Sequence, residues 1–237
     1  MQKILSDEQV AAFYHDCFVK QQVEHFSQIT APCLQGGHVI VDVGGGCGYF
    51  ASAIQNQLNI RARLIDMDPM SVNTARTLGV EAMIGDALKP IKQGDEVIAC
   101  FNLILHHLVG NSEKQTLKLQ KIAVSAWHEG DTRLFVNEYI YESWFGGISG
   151  WLIYQITKNE LLSSVAKAIA KIVPSLRANT FGVGVRFRTS YEWRKLFSSA
   201  GFKVIDEIKG DDEFIALPLR LLLIKSIRRD SFLLAPK

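Results

Sequence analysis

The sequence predicts an α/β domain: a seven-stranded, mostly parallel sheet with helices on both faces. Three observations predict it. Short apolar runs alternate with helical patterns as far as Tyr139, the mark of successive strand–helix–strand units. A glycine turn, Gly44-Gly45-Gly46-Cys47-Gly48, joins the apolar Val39-Ile40-Val41 to Tyr49-Phe50-Ala51-Ser52-Ala53-Ile54, which reads as buried strand, tight turn and helix. Asp42, Asp66 and Asp86 stand at the ends of three successive expected strands, where open α/β sheets bind ligands.

A helix is expected from Ser6 to about Ile29, with Ser6-Asp7-Glu8-Gln9 as its capping start and Pro32 and Gly36-Gly37 as its stop. Strands are expected at Val39–Val43, Ala62–Asp66, Glu81–Ile84, Glu96–Phe101 and Arg133–Tyr139. The helices between them are expected at Phe50–Leu58, from Pro69 to Leu78 with proline in the first turn, and from Glu113 to Trp127. The crossovers are expected to be right-handed. Alternation then stops for a helical insertion, whose helix places Leu161, Leu162, Val165, Ile169 and Ile172 on one face and Lys158, Ser164, Lys167 and Lys171 opposite. Arg177 to Gly184 reads as a loop. Tyr191–Ala200 reads as a helix stopped by Gly201, and Phe202–Ile208 and Leu219–Ile227 as the last two strands. The whole is one domain over residues 1–237, with an N-terminal helical cap at 1–37 and an insertion or lid at 144–187.

Composition narrows the function classes. The chain is 48% hydrophobic and 21% charged, ordinary for a soluble globular protein. A net charge of +2 without a long Lys/Arg run leaves no electrostatic footprint for nucleic acid. No apolar stretch is long enough to span a bilayer, and Met1 to Val10 lacks an apolar signal segment. Cys17, Cys33, Cys47 and Cys100 form no Cys-x-x-Cys pair, so neither zinc nor a disulfide framework is expected. A reduced, cytoplasmic protein is the simplest reading.

The turn carries the functional signal. Its pattern is acid-x-Gly-x-Gly-x-Gly. A dinucleotide fingerprint, Gly-x-Gly-x-x-Gly counted from Gly44, would need glycine at Tyr49. Gly44, Gly46 and Gly48 let backbone approach a ligand where a Cβ would intrude. The leading carboxylate, Asp42, repels a pyrophosphate and suits a ligand bearing an amine. S-adenosylmethionine carries an α-amino group, a sulfonium and no phosphate.

With Asp42-Val43-Gly44-Gly45-Gly46-Cys47-Gly48 the chain resembles the class I S-adenosylmethionine-dependent methyltransferases, closest to the small-molecule O-methyltransferases, from about Val39 onward. The resemblance implies a Rossmann-like fold, S-adenosylmethionine as cofactor and a small-molecule methyl acceptor, and it places the methionine moiety on the turn with Asp42 toward the amino end. It puts the ribose contact on Asp66, three residues before Pro69. An acid about twenty residues past the glycines can accept both ribose hydroxyls. Asp68 competes, and is also a good helix cap. Met67 is then expected against the adenine, with the Asp86 carboxylate accepting from its amino group and the Ala87 N–H meeting a ring nitrogen. Asn102 completes the expected cofactor set.

The resemblance also implies a general base. In Leu105-His106-His107-Leu108 the histidine of the family's Leu-His-Asp segment falls on His106, while His107 replaces the aspartate; both are carried as catalytic candidates. Glu138 is expected to end the fifth strand, facing substrate or serving structure. Trp144, Phe145, Trp151 and Tyr154 are expected to wall the acceptor site, with Phe13, Tyr14 and Phe18 on its other side, and Arg186 and Arg188 are read as solvated or as contacts to an anionic group. No metal is expected. With so short a segment before Val39, the long N-terminal dimerisation domain of plant-type members is not expected. The acceptor, a hydroxyl of a small, largely apolar metabolite, and the oligomeric state are not specified further. Methylation of nitrogen or carbon, a non-catalytic cofactor-binding protein and a membrane-surface role for the amphipathic insertion helix remain open as alternatives.

Overall fold

A computed structural model describes residues 16–34, 37–128, 130–172 and 183–237. Helix α1 (Asp16–Thr30) leads through a short 3-10 turn into β1 (Val39–Val43), α2 (Tyr49–Leu58), β2 (Arg61–Asp66), α3 (Pro69–Thr77) and β3 (Glu81–Ile84). After β4 (Glu96–Asn102) a 3-10 turn, Leu105–His107, precedes α4 (Glu113–Ser125) and β5 (Arg133–Ser143). Then come α5 (Ile148–Lys158), α6 (Glu160–Ile172), α7 (Ser190–Ser199), β6 (Phe202–Ile208), α8 (Leu217–Arg220) and β7 (Ile224–Pro236). The seven strands form one sheet in the order β3-β2-β1-β4-β5-β7-β6. The first five are parallel; β7 runs antiparallel to both β5 and β6. This is the Rossmann-like α/β architecture the sequence predicts.

Period-two alternation along the strands divides the core. Ile40, Cys100, Phe135 and Leu233 pack on one face with Phe26 of α1 and Phe50 and Ile54 of α2. Val41, Val43, Phe101, Val136 and Phe232 face the other way, against Trp127, Trp193 and Phe197. The order reverses between β1 and β4, so the carboxyl ends of β1 to β4 converge on one rim.

Three expectations are corrected. The insertion holds two helices rather than one, because Asn159 leaves the helical conformation and its side chain accepts from the N–H groups of Leu161 (3.0 Å) and Leu162 (3.1 Å), starting α6. The side chains of Leu161, Leu162 and Val165 are exposed, and buried Ser163 ties α6 to α5 through the carbonyls of Ile156 and Thr157. Strand β5 runs to Ser143, four residues past Tyr139, because β7 pairs with it along its length. The last strand begins at Ile224 rather than Leu219, since Pro218 opens a helical turn over Leu217–Arg220, and it continues through the buried run Ser231-Phe232-Leu233-Leu234. The helix expected from Ser6 is described from Asp16. Its first residues, the side chains of Phe13, Tyr14 and Phe18, and residues 177–182 of the expected loop lie outside the described residues.

Candidate active site

The rim is built from the ends of β1 to β4. After β1 the Gly44 N–H donates to the Ile65 carbonyl (2.7 Å) and the Gly48 N–H to that of Gly45 (3.0 Å), folding the turn tightly against β2. Three of its glycines are needed by the protein itself: a Cβ on Gly45 would fall 2.1 Å from Asp42 Oδ2. A Cβ on Gly44 would fall 1.7 Å from Ile104 Cδ1, and one on Gly48 would fall 2.7 Å from the Ala75 Cβ. Gly46 alone among the glycines of the turn, at φ +55°, fronts open space with nothing within 4 Å of a built Cβ.

Asp42 is fully buried beneath the turn. The Asn102 amide, from the end of β4, donates to its Oδ1 (3.2 Å). Asp42 Oδ2 and Asn102 Oδ1 are both buried, and neither has a donor. Burial pushes the Asp42 carboxyl up to about 7, opposed by the Asn102 hydrogen bond and reinforced by the Asp66 charge. Burial, with the neighbouring Asp42, also raises the Cys100 thiol well above its ordinary range.

At the end of β2 the Asp66 carboxylate accepts from the Gly46 N–H (2.9 Å) and the Asp68 N–H (2.8 Å), linking the second strand to the glycine turn. Burial raises its proton affinity against those two bonds. A carboxylate has about four acceptor positions, so Asp66 keeps capacity toward the rim. Asp68 accepts from Ser71 N–H (2.8 Å) and Met70 N–H (3.3 Å) as the cap of α3. Met67 is 38% exposed at the same edge. At the end of β3, Asp86 Oδ1 accepts from the Leu88 N–H (2.8 Å), a turn that buries Ala87. The Gly85 N–H bonds the Asp66 carbonyl (2.9 Å) and holds the two strand ends together.

On the other side of Asn102 the chain turns through Leu103, whose φ of +55° is a left-handed conformation for a branched residue. His106 follows, 3% exposed. Its Nδ1 lies 2.7 Å from Oε2 of the fully buried Glu138, and the other carboxylate oxygen accepts from the Leu105 N–H at 2.6 Å. Glu138 therefore sits inside β5 rather than at its end, holding both the backbone and the ring of the histidine turn. The partnership spans 32 residues and has no local sequence signature. The ring of His107 lies 4.2 Å from that of His106. Burial and the neighbouring imidazole lower its proton affinity well below the ordinary histidine range.

The aromatic rings brought to His106 are not those expected. Phe187 lies 4.9 Å and Tyr139 5.9 Å from its ring, and Phe187 stacks on Tyr141 at 4.2 Å. Trp144, Phe145 and Trp151 are exposed, whereas Tyr154 is buried and donates to the Gly110 carbonyl (2.8 Å). Arg186 and Arg188 are buried, not solvated, and both bond Glu113 (2.9 and 3.0 Å). Among the described residues no helix is long and apolar enough to cross a membrane.

No family model matches the chain. An isoflavone 7-O-methyltransferase of Glycyrrhiza echinata is 27% identical over 171 residues, covering 72% of this chain and 42% of that protein. A pluviatolide O-methyltransferase of Sinopodophyllum hexandrum is 27% identical over 170 residues, covering 71% and 40%. The matched stretch is thus less than half the length of these relatives. Among solved structures, the MccD protein superposes with a TM-score of 0.58 at 11% identity, covering 91% of this chain and 96% of that one. The magnesium protoporphyrin IX methyltransferase of Synechocystis PCC 6803, with bound SAH, superposes at 0.57 and 12% identity, covering 100% and 90%. A pericyclic reaction enzyme superposes at 0.53 and 15% identity, covering 90% and 47%. By sheet order and superposition the chain has the fold of these solved structures, and over 71–72% of its length its sequence is similar to plant O-methyltransferases.

Proposed function

We propose that the chain binds S-adenosylmethionine at the rim of β1 to β4 and transfers its methyl group to a hydroxyl of a small, largely apolar metabolite. The cofactor reading rests on surplus acceptors. Asp42 Oδ2 and Asn102 Oδ1 are buried without a donor, beside a turn whose Gly46 fronts open space. Such a cradle fits a cationic group carrying N–H donors and disfavours a phosphate. Asp42 and Asn102 serve the amino end, with Gly44, Gly46 and Gly48 shaping the turn. Asp66 serves the ribose, and Met67, Asp86 and Ala87 serve the adenine. When bound, S-adenosylmethionine supplies a methyl group on a positively charged sulfur, ready for displacement by an oxygen lone pair.

The observation that carries the hydroxyl reading is the 2.7 Å contact between His106 Nδ1 and Glu138. A buried carboxylate holds the proton on Nδ1 and leaves the Nε2 lone pair to accept one from an acceptor hydroxyl. As the ring gains charge, Glu138 stabilises it. His107, its proton affinity lowered, stays neutral beside it and does not add a second charge. Tyr139 and Tyr141 offer apolar surface to the acceptor and exclude water. Of the described residues, 144–172 and 183–187 act as the insertion over this side, and α1 belongs to the cap opposite.

The test is calorimetry with S-adenosylhomocysteine, then methyl transfer from labelled cofactor to a panel of hydroxyl, amine and carbon acceptors, including 7-hydroxyisoflavone as suggested by the sequence relative. Hydroxyl methylation that collapses in His106→Ala supports the reading. Tight NAD binding with no S-adenosylhomocysteine binding overturns it entirely. Cofactor binding with no transfer to any acceptor favours a non-methylating use of the fold, the outcome toward which the similar pericyclic enzyme points.

A further inference from the structure

The histidine turn is held by more than Glu138. The Arg186 N–H donates to the His106 carbonyl (2.9 Å). Fully buried Gln120, from α4, donates to the Leu105 carbonyl (2.9 Å), and its own oxygen accepts from Arg188 Nε (2.7 Å). Phe187, between the two arginines, lies against the His106 ring. The segment sits where β4 has already turned away: the Tyr141 N–H bonds the Arg188 carbonyl (3.0 Å) along the edge of β5 left open beyond Asn137.

Both guanidinium groups anchor the segment to helix starts. Arg186 bonds Glu113 and Glu192 (2.9 and 2.8 Å), and Arg188 bonds Glu113 (3.0 Å). Two buried cations meet two carboxylates, so the cluster is balanced, and removing one member would strand a charge. The insertion rests directly on the same segment. The Val185 N–H donates to Thr157 Oγ1 of α5 (3.1 Å). A Cβ on Gly150 of α5 would lie 2.0 Å from the Phe187 carbonyl oxygen and 2.6 Å from Arg186 Nη1.

We infer that residues 185–188 form a strap that positions the His106 ring, with Phe187 its contact to the imidazole and Gly150 the seat that lets α5 press the strap into place. This rests on His106 being the base. Phe187, Gln120, Arg186 and Arg188 are positioning residues; none is assigned a proton or a substrate atom. The strap joins the insertion to the base, so what shifts α5 shifts the imidazole.

The decisive variant is Gly150→Ala. The atom it meets is backbone, so α5 and the strap must move apart. The expected result is a fall in turnover of about 10–100-fold, the scale of a misplaced reacting group, with unchanged affinity for S-adenosylhomocysteine. Nitrogen NMR of histidine-labelled protein is expected to show one Nδ1-protonated tautomer for His106 in the native chain and its loss in Gly150→Ala. Phe187→Ala is expected to behave alike and Phe187→Tyr to restore both readouts. Ser149→Ala, at a buried hydroxyl without a hydrogen-bond partner, is the control expected to change neither. Should Gly150→Ala fail to fold, Phe187→Leu, which keeps every main-chain anchor, decides. Native turnover and an unaltered tautomer in the folded strap variants, alongside an inactive His106→Ala, overturn the strap and leave the base reading standing. A fully active His106→Ala overturns the base reading itself.

Discussion

The two halves of the sheet are built by different means. From β1 to β4 most of the rim carboxylates are engaged close by in sequence, although Asp42 takes the Asn102 amide from 60 residues away and Asp66 the Gly46 N–H from 20. Asp68 binds the N–H groups of Met70 and Ser71, Asp86 that of Leu88, and Asp66 those of Asp68 and Gly46. From β5 to β7 the partners are far apart in sequence: Glu138 reaches His106 across 32 residues, Arg188 reaches Gln120 across 68 and Arg186 reaches Glu113 across 73. The rim proposed to hold the cofactor is therefore built largely by short motifs, and the histidine turn proposed to face the acceptor by tertiary packing.

The largest expected effect falls on the acceptor side. His106→Ala is expected to lower turnover by about 10²–10⁴-fold, the usual contribution of a general base, while S-adenosylhomocysteine binds as before in calorimetry. Glu138→Gln is expected to act in the same direction, because an amide can present either a donor or an acceptor to Nδ1 and no longer enforces one tautomer. The double variant is expected to be no slower than the worse single one, since groups that act as a unit are not additive. Losses that multiply in single-turnover measurements would separate Glu138 from the base.

Next in size is Asp42→Asn, which sets stability against binding. The folded chain keeps Asp42 neutral up to about pH 7, whereas an unfolded aspartate ionises near 4. Between those values the unfolded state releases a proton that the folded state retains. Folding stability therefore falls as pH rises through the window and stays low above it. Asparagine removes the penalty, with an upper bound of about 4 kcal/mol above pH 7 for a shift of roughly three units. Urea melts at pH 4 and pH 8 check it: the gain is expected at pH 8 and nearly absent at pH 4. Affinity for S-adenosylhomocysteine is expected to move the other way, tightening in the native chain as pH rises through about 7 and losing that dependence in the variant. A pH-independent native affinity would detach Asp42 from the ligand's amino group.

Gly44→Ala tests whether the halves are separable. Ile104 opens the histidine turn, and its Cδ1 occupies the space an alanine methyl at 44 would need. The side chain can move, but the φ of +68° still disfavours alanine by about 1–2 kcal/mol. Both cofactor affinity and turnover are expected to fall, whereas Gly46→Ala, with a free rim in front of it, is expected to weaken binding and leave the unfolding temperature less changed.

This asymmetry explains what was legible in the sequence. Strand ends β1 to β3, the glycine turn and the proline-opened α3 were readable because apolar alternation, glycine and proline act within a few residues of where they sit. Arg186 and Arg188 were read as solvated because nothing local places Glu113 and Glu192 against them. Tyr154 and Trp151 look alike in sequence, yet one is buried at 0% and the other 43% exposed, since helical spacing does not say which face meets the sheet. The insertion holds two helices because Asn159 leaves the helical conformation and its side chain accepts from the first N–H groups of α6. The far half of the last strand was hidden because the charged Arg228, Arg229 and Asp230 separate Ile227 from the apolar Phe232-Leu233-Leu234.

The smallest expected effect discriminates between two neighbouring carboxylates. Asp66 and Asp68 are two residues apart and chemically identical, so only their partners separate them. Asp68 faces the start of α3 and is exposed enough that its loss removes a helix cap and nothing more. Asp68→Ala is expected to cost about 1 kcal/mol of stability, with cofactor affinity unchanged. Asp66→Ala removes the link between β2 and the Gly46 N–H as well as the ribose acceptor proposed here, so affinity for S-adenosylhomocysteine is expected to drop. Adenine alone, which has no ribose, is expected to be held equally by both variants. If Asp68→Ala instead loses affinity while Asp66→Ala keeps it, the ribose belongs one turn closer to α3, and the cofactor lies across the helix start rather than along the strand ends.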